Sequence, residues 1–296
     1  MKHRSLVLPF AILVGFFFHQ YLSLCKPAVP FLIFFILFFN FSALDIHKMR
    51  VTGLHWIILA FQVVFSLLSY LLIRGANEVI AQGVMLGILC PVAASVVVVA
   101  CMLGANRETI TTYTLVGNAG IAISAPIYFS FIGTHVDMPF FQSFALILSK
   151  IFPIIVLPLL LIILLQKIAP KINSAVSSIK EISFYLWAVA LMITISQTIN
   201  FIFLYGAENK MVIVVLSLAS IFCCAIQFAF GRWIGRRYGD AVAGGQALGQ
   251  KNTALGIWLA TIYLNPLASI FPATYSIWQN LFNSWQLWQH DRKRGG

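Results

Sequence analysis

The residues with the most chemistry to offer lie together in one apolar stretch, AVAGGQALGQKNTALGIWLA (241–260), which carries Gln246, Gln250, Lys251, Asn252 and Thr253. A lysine held in hydrocarbon costs at least ~2.5 kcal/mol unless it is paired or watered, so such a residue is functional by default. Its ammonium is a fixed positive charge among amides and a hydroxyl that donate and accept hydrogen bonds. That combination suits binding of a small anion or coupling to its movement. The structural alternative is a lysine that snorkels, or one that pairs with a backbone carbonyl and closes a gap in the helix. A second polar group, RETITTYTLVGNAGIAISAP (107–126), sets Thr111, Thr112, Thr114, Asn118 and Ser124 in another apolar segment. These side chains either line the same cavity or bond to their own helix and its neighbours. Lys150, in FALILSKIFPII near a proline, reads as a lysine whose stem lies along apolar surface while its head reaches water.

Bond-breaking chemistry finds little support. Every carboxylate (Asp45, Glu78, Glu108, Asp137, Glu181, Glu208, Asp240 and Asp291) falls in a loop or near a helix end, which disfavours a buried acid-base pair. Neither HExxH nor GxSxG occurs, and Cys25, Cys90, Cys101, Cys223 and Cys224 lack metal-site spacing. The cysteines read as small hydrophobes. The expectation is a protein that is not an enzyme, with no catalytic residue, no metal ligand set and no cofactor.

These residues must be positioned by membrane helices. Hydrophobic residues make up 60% of the 296 and charged ones 9%, with mean hydropathy +0.93; a soluble domain carries roughly 25% charged residues. Apolar runs near 5–24, 28–44, 53–73, 78–102, 108–133, 141–166, 182–204, 210–232, 241–262 and 267–288 predict ten transmembrane helices, the first retained and not cleaved as a signal peptide. The net charge of +11 is spread over loop ends, at Lys2, Arg4, Lys48, Arg50, Arg107, Lys167 to Lys180, Arg232 to Arg237 and Arg292 to Arg294. The opposite side collects only Lys26, Arg74 and Lys210. This asymmetry predicts cytoplasmic termini and argues against a nucleic-acid surface.

The loop QKIAPKINSAVSSIKE (166–181) falls near the middle and splits the chain into two halves of five helices, assigned to residues 1–138 and 139–296. An odd number of helices per half makes the halves inverted repeats, a construction common in secondary transporters. The fourth helix of each half is interrupted, at GILCPVAASV around Pro91 and at Gly244, Gly245 and Gly249. A broken helix persists in a bilayer only where it lines a cavity or is covered by protein, and half-helix N-termini favour anions. The alternative is a pair of ordinary Gly and Pro kinks.

The segments PFLIFFILFFNFSALDIHKMR (30–50), GILCPVAASV, YGDAVAGGQALGQKNTALGIWLA (238–260) and FPATYSIWQNLFNSW (271–285) resemble the bile acid:sodium symporter superfamily. The resemblance implies an all-α membrane protein with a panel domain, a core domain in which broken helices 4 and 9 cross, and transport of organic anions, usually with sodium. Family members with sodium sites typically read Glu-x-Gly-Met-Gln-Asn in the ninth helix; here the run is Ala247, Leu248, Gly249, Gln250, Lys251 and Asn252. The acidic ligand is missing and a lysine stands where the glutamine is usual. The family's Ser-Asn pair of the fourth helix falls on Val96 and Val97, beside Ser95. The resemblance also places Asn252 near substrate, and Gln279 and Asn280 on the same cavity.

These departures imply a sodium-independent carrier of a small organic anion, in which the Lys251 ammonium supplies the charge of the ion and transport is facilitated diffusion or coupled to proton loss from the lysine. The lipid bilayer is its other partner, and a bacterial inner membrane its expected location. Three alternatives remain open: an ordinary sodium-coupled symporter, a non-transporting membrane sensor or receptor, and an auxin-efflux-like carrier, whose pattern GNAGIAISAP loosely resembles.

Overall fold

The computed structural model describes residues 7–44, 48–93, 95–133, 138–205 and 207–294. Lys2, Arg4, Asp45 and Asp137, read above from loops or the N-terminus, lie outside them. The described residues form helices throughout: α1 (Val7–Phe17), α2 (His19–Leu22), α3 (Val29–Ser42), α4 (Gly53–Ile73), α5 (Glu78–Leu89), α6 (Val96–Met102), α7 (Arg107–Ile132), α8 (Phe140–Ile155), α9 (Leu157–Ile168), α10 (Pro170–Ser178), α11 (Ile182–Tyr205), α12 (Lys210–Arg237), α13 (Ala241–Gly249), α14 (Thr253–Tyr263) and α15 (Ile270–Arg294). Their only β-pairing among the described residues is an isolated antiparallel bridge between Val92 and Lys251.

By length and apolarity five helical stretches can cross a membrane: His19–Ser42, Gly53–Ile73, Arg107–Ile132, Ile182–Leu204 and Lys210–Arg237. The bent pair α8 and α9, at 44°, makes a sixth if it is one span. The protein is therefore an all-α chain with the helices of a multi-pass membrane protein. The remaining segments of the expected ten are α1 of 11 residues, the short halves flanking the two breaks, and α15, whose polar residues and charged end lower its hydropathy. Large apolar side chains such as Phe17, Leu72, Phe141 and Phe222 stand exposed on helix flanks, as lipid-facing residues do.

Two expectations need correction. Segment 166–181 is not a loop: its first residues end α9 and the rest holds α10, started by Pro170 at a position where the missing N–H costs nothing. Gly244 and Gly245 do not interrupt the ninth helix. They lie inside α13, whose break comes after Gly249, and they serve close packing of α13 on α12.

That packing is the most extensive between any two elements, followed by α5 on α4. A methyl group added to Gly231 would overlap the Gly244 carbonyl, and one added to Gly244 would overlap the Gly231 carbonyl. Gly235 meets the Asp240 carbonyl in the same way. Small residues at a spacing of four let two backbones approach where no hydrophobic driving force distinguishes helix from lipid. The ends are fixed by side-chain caps: Asn77 accepts from Ile80 N (3.0 Å), Asn106 from Thr109 N (3.0 Å) and Asp240 from Ala243 N (2.8 Å). Asp240 also accepts from Asn106 N at 2.8 Å, tying the starts of α7 and α13 together.

Gly231→Val is expected to destabilise the protein by about 1–3 kcal/mol through overpacking, read as a lowered melting temperature in detergent. Gly75→Ala, whose added methyl meets no atom within 4 Å, should leave it unchanged.

Candidate functional site

The two broken pairs, α5/α6 and α13/α14, meet at their breaks. Backbone outside a helix in an apolar interior has N–H and C=O groups that must find partners, and here each break supplies them to the other. Ala93 N donates to the Gln250 carbonyl at 3.0 Å and Asn252 N donates to the Pro91 carbonyl at 2.8 Å. Pro91 has no N–H of its own to satisfy. The Cys90 thiol donates to the Asn252 carbonyl at 3.1 Å. Lys251, in the middle of this short bridge, is held on both backbone sides by one amide: its N–H donates to Gln279 Oε1 (2.8 Å) and its carbonyl accepts from Gln279 Nε2 (3.1 Å).

The Lys251 side chain is 1% exposed and its Nζ donates to the Ile88 carbonyl at 2.9 Å. Ile88 sits in the last turn of α5, where unpaired carbonyls carry the negative end of the helix dipole, a favourable place for a cation. Gln62 of α4 donates to the same carbonyl (3.3 Å) and to that of Cys90 (3.0 Å), and is itself held by the Tyr113 hydroxyl. At the other break the Tyr275 hydroxyl donates to the Gly249 carbonyl (2.8 Å) and accepts from Gln227 Nε2 (3.2 Å). Each break thus has a glutamine–tyrosine pair beside it, with the order exchanged: Gln62 bonds the carbonyls at the end of α5 and Tyr113 bonds Gln62, while Tyr275 bonds the carbonyl at the end of α13 and Gln227 bonds Tyr275.

The crossing brings together Gln250, Lys251, Asn252, Ser95 and Gln279 among the residues singled out from sequence. Gln250 Nε2 donates to Ser95 Oγ at 2.9 Å, and Ser95 is exposed, so the crossing reaches the protein surface there. Asn252 Oδ1 caps α14 through Leu255 N at 3.2 Å. Thr253 is buried beside it, with its hydroxyl unpartnered. Gln246 belongs to a separate cluster with Asn283 (3.0 Å) and Gln286 (3.3 Å).

The polar residues of α7 divide. Thr114 and Ser124 bond to carbonyls of their own helix, at Ile110 and Gly120. Thr112 and Asn118 are buried with Oγ1 and Nδ2 unpartnered, and among the described residues neither is bonded to the crossing. Asn280 turns back onto the Ser276 carbonyl of its own helix at 2.7 Å, so only Gln279 of that pair joins the crossing. Lys150 is exposed, as a lysine that reaches water. Gln62, Tyr113, Gln227 and Tyr275 were not singled out from sequence. The available signal was a lone glutamine in each of two apolar runs, LHWIILAFQVVF and FCCAIQFAF.

Among the described residues no group of three or more His, Cys, Asp or Glu side chains converges on a metal-sized space. The chain matches no protein-family model and no curated protein.

Gln279→Leu strips the Lys251 N–H of its partner, while the Lys251 carbonyl keeps the bond from Thr253 N at 3.0 Å. A buried backbone group left unpaired costs about 1–3 kcal/mol, which is the expected loss, measured by chemical or thermal unfolding in detergent. Asn280→Leu is the comparison and should cost far less.

Proposed function

We propose that this protein is a secondary transporter that moves a small organic anion across a membrane by alternating access, independently of sodium. The observation that carries the reading is the meeting of two broken apolar helices, back to back at their breaks, around a fully buried ammonium. Irregular backbone at membrane depth that does not line or guard a pathway has no evident use, and crossed broken helices are the means by which secondary transporters build a site near the bilayer midplane.

In this reading α1, α2/α3, α4, α5/α6 and α7 form one five-helix repeat and α8/α9, α11, α12, α13/α14 and α15 the other, inverted to it. Supporting this is a glutamine–tyrosine pair beside each break, Gln62 with Tyr113 at the end of α5 and Gln227 with Tyr275 at the end of α13, though the residue that touches the helix end is the glutamine in the first and the tyrosine in the second. The crossed helices and their supports make the core domain, and the remaining helices the panel against which it rocks. Both termini are cytoplasmic and the membrane is a bacterial inner membrane, consistent with the charge bias of the loops.

The Lys251 ammonium, tied to the Ile88 carbonyl, stands at the negative end of a half-helix, where a transporter of this architecture would bind a coupling cation. Its charge offsets that of the anion near the crossing. Gln250, Ser95 and the N-terminus of α14 supply the nearest polar groups to the surface.

Proteoliposomes are the test. Saturable uptake or exchange of an organic anion, equal in sodium and potassium buffers, is the expected result; a sodium-specific rise in melting temperature at matched ionic strength would mean a bound ion and an ordinary symporter. Lys251→Gln should lower anion flux by about tenfold or more, since a desolvated charge contact is worth about 1.5–3 kcal/mol. Unchanged flux and affinity in a folded Lys251→Gln protein would reduce the lysine to a structural plug.

A further inference from the structure

On α15, Ser276, Gln279, Asn283 and Gln286 follow one another at intervals of three, four and three residues, which puts them on one helix face. All four are buried, while Leu281, Trp285 and Trp288 of the same helix are exposed. A polar stripe therefore leads inside the protein from the crossing, at Gln279, towards the basic end of α12. There it meets Arg232. The Arg232 guanidinium donates to Gln286 Oε1, and Gln246 Nε2 donates to that oxygen at 3.3 Å and to Asn283 Oδ1 at 3.0 Å. Gly245 makes room for the arginine: an added methyl would lie 3.3 Å from Arg232 Nε.

Two atoms of this cluster are buried without partners: Gln286 Nε2, a donor, on a residue 5% exposed, and Gln246 Oε1, an acceptor, on a residue 1% exposed. Their chemistry is complementary to one kind of ligand. A guanidinium has five N–H donors in a planar fork, of which the bond to Gln286 uses one, and it prefers a carboxylate. Gln286 Nε2 offers another donor beside it. Gln246 Oε1 can only accept, so the ligand must bring a donor near its carboxylate. With Arg232 in the cluster and Arg236 one turn along the helix, an ammonium is disfavoured there by charge repulsion and a hydroxyl is not.

We propose that Arg232, Gln286 and Gln246 form a recognition subsite for a hydroxy carboxylic acid, its carboxylate on Arg232 and Gln286 Nε2 and its hydroxyl donating to Gln246 Oε1. This deepens the transporter reading by naming the substrate class and a docking point on its path, and rests on that reading for the word substrate. Arg232 is partly accessible, so an acid can reach it from the basic side of the protein before the polar stripe carries it towards Lys251.

The test is binding to the full-length protein in nanodiscs, by calorimetry and melting temperature, with lactate, glycerate, propionate and alanine as probes. Lactate and glycerate are expected to bind about tenfold or more tighter than propionate, because a site built to pair a hydroxyl rejects the analogue without one, and alanine should bind weakest. Gln246→Leu should bring lactate and propionate to equal affinity while both still bind. Arg232→Gln should abolish binding of all four, Arg232→Lys should weaken it about tenfold through loss of the fork, and Arg237→Gln, at an exposed residue outside the cluster, should leave it unchanged. Equal affinity of the wild type for lactate and propionate, a preference that survives Gln246→Leu, or no binding of any probe would overturn the subsite. Arg232→Lys carries the same question should Arg232→Gln fail to fold. Binding in the expected pattern without flux of the bound acid in proteoliposomes retains the subsite and removes the transporter reading; anion flux indifferent to Arg232→Gln and Arg232→Lys does the reverse.

Discussion

Peptide groups that leave a helix in an apolar interior have nowhere to turn but to one another, and the structure is organised around that obligation. Two breaks, one after Leu89 and one at 250–252, would each be prohibitive alone; laid antiparallel they exchange hydrogen bonds at Ala93, Gln250, Pro91 and Asn252. What the exchange leaves over is taken up by side chains sent in from neighbouring helices, Gln62 and Gln279 above all. The close glycine packing of α12 on α13 follows from the same need, since α13 must be carried at a fixed depth for its end to meet the end of α5.

The two broken pairs are alike in plan but not in charge. The end of α5 is bonded by Gln62 and the end of α13 by Tyr275, yet among the described residues only the end of α5 also receives an ammonium, donated by the opposite break. Lys251 is therefore at once a backbone link, through its bridge to Val92, and a side-chain link back to Ile88. Two breaks joined twice by one residue are difficult to separate without disturbing the electrostatics between them. Packing and charge at this point cannot be varied independently.

The helical architecture was legible because its signals are local: apolar length, and prolines or polar residues at breaks. The break after Leu89 was readable from Pro91, and the cluster Gln250 to Thr253 from its polarity. Gly244 and Gly245 misled for a physical reason, since glycine marks close approach inside a helix as readily as it marks an interruption, and sequence alone does not reveal the partner, here Gly231. Segment 166–181 misled because a short helix of polar residues looks like a loop. Long-range partners were not legible at all: Gln62 reaches Cys90 and Gln279 reaches Lys251 across 28 residues each, and nothing in the local pattern of either helix says which carbonyl or peptide it will meet. The same holds for Gln246, whose partners Asn283 and Gln286 lie on a different helix from the crossing it was grouped with.

Lys251 is joined to the chain by covalent bonds, and this bears on thermodynamics as well as on geometry. A diffusible cation that binds on one side and leaves on the other spends its own gradient on the cargo; an ammonium that stays with the protein returns to its starting point in every cycle and contributes no free energy. If Lys251 serves in place of such a cation, the cargo is left with its own concentration difference and the membrane voltage. For a monovalent anion that voltage is worth about 2.3 kcal/mol per 100 mV, directed outward across a membrane whose interior is negative. Without a second driving species, a carrier so built is an outlet for acids that accumulate inside, and takes them up only from a strong external excess.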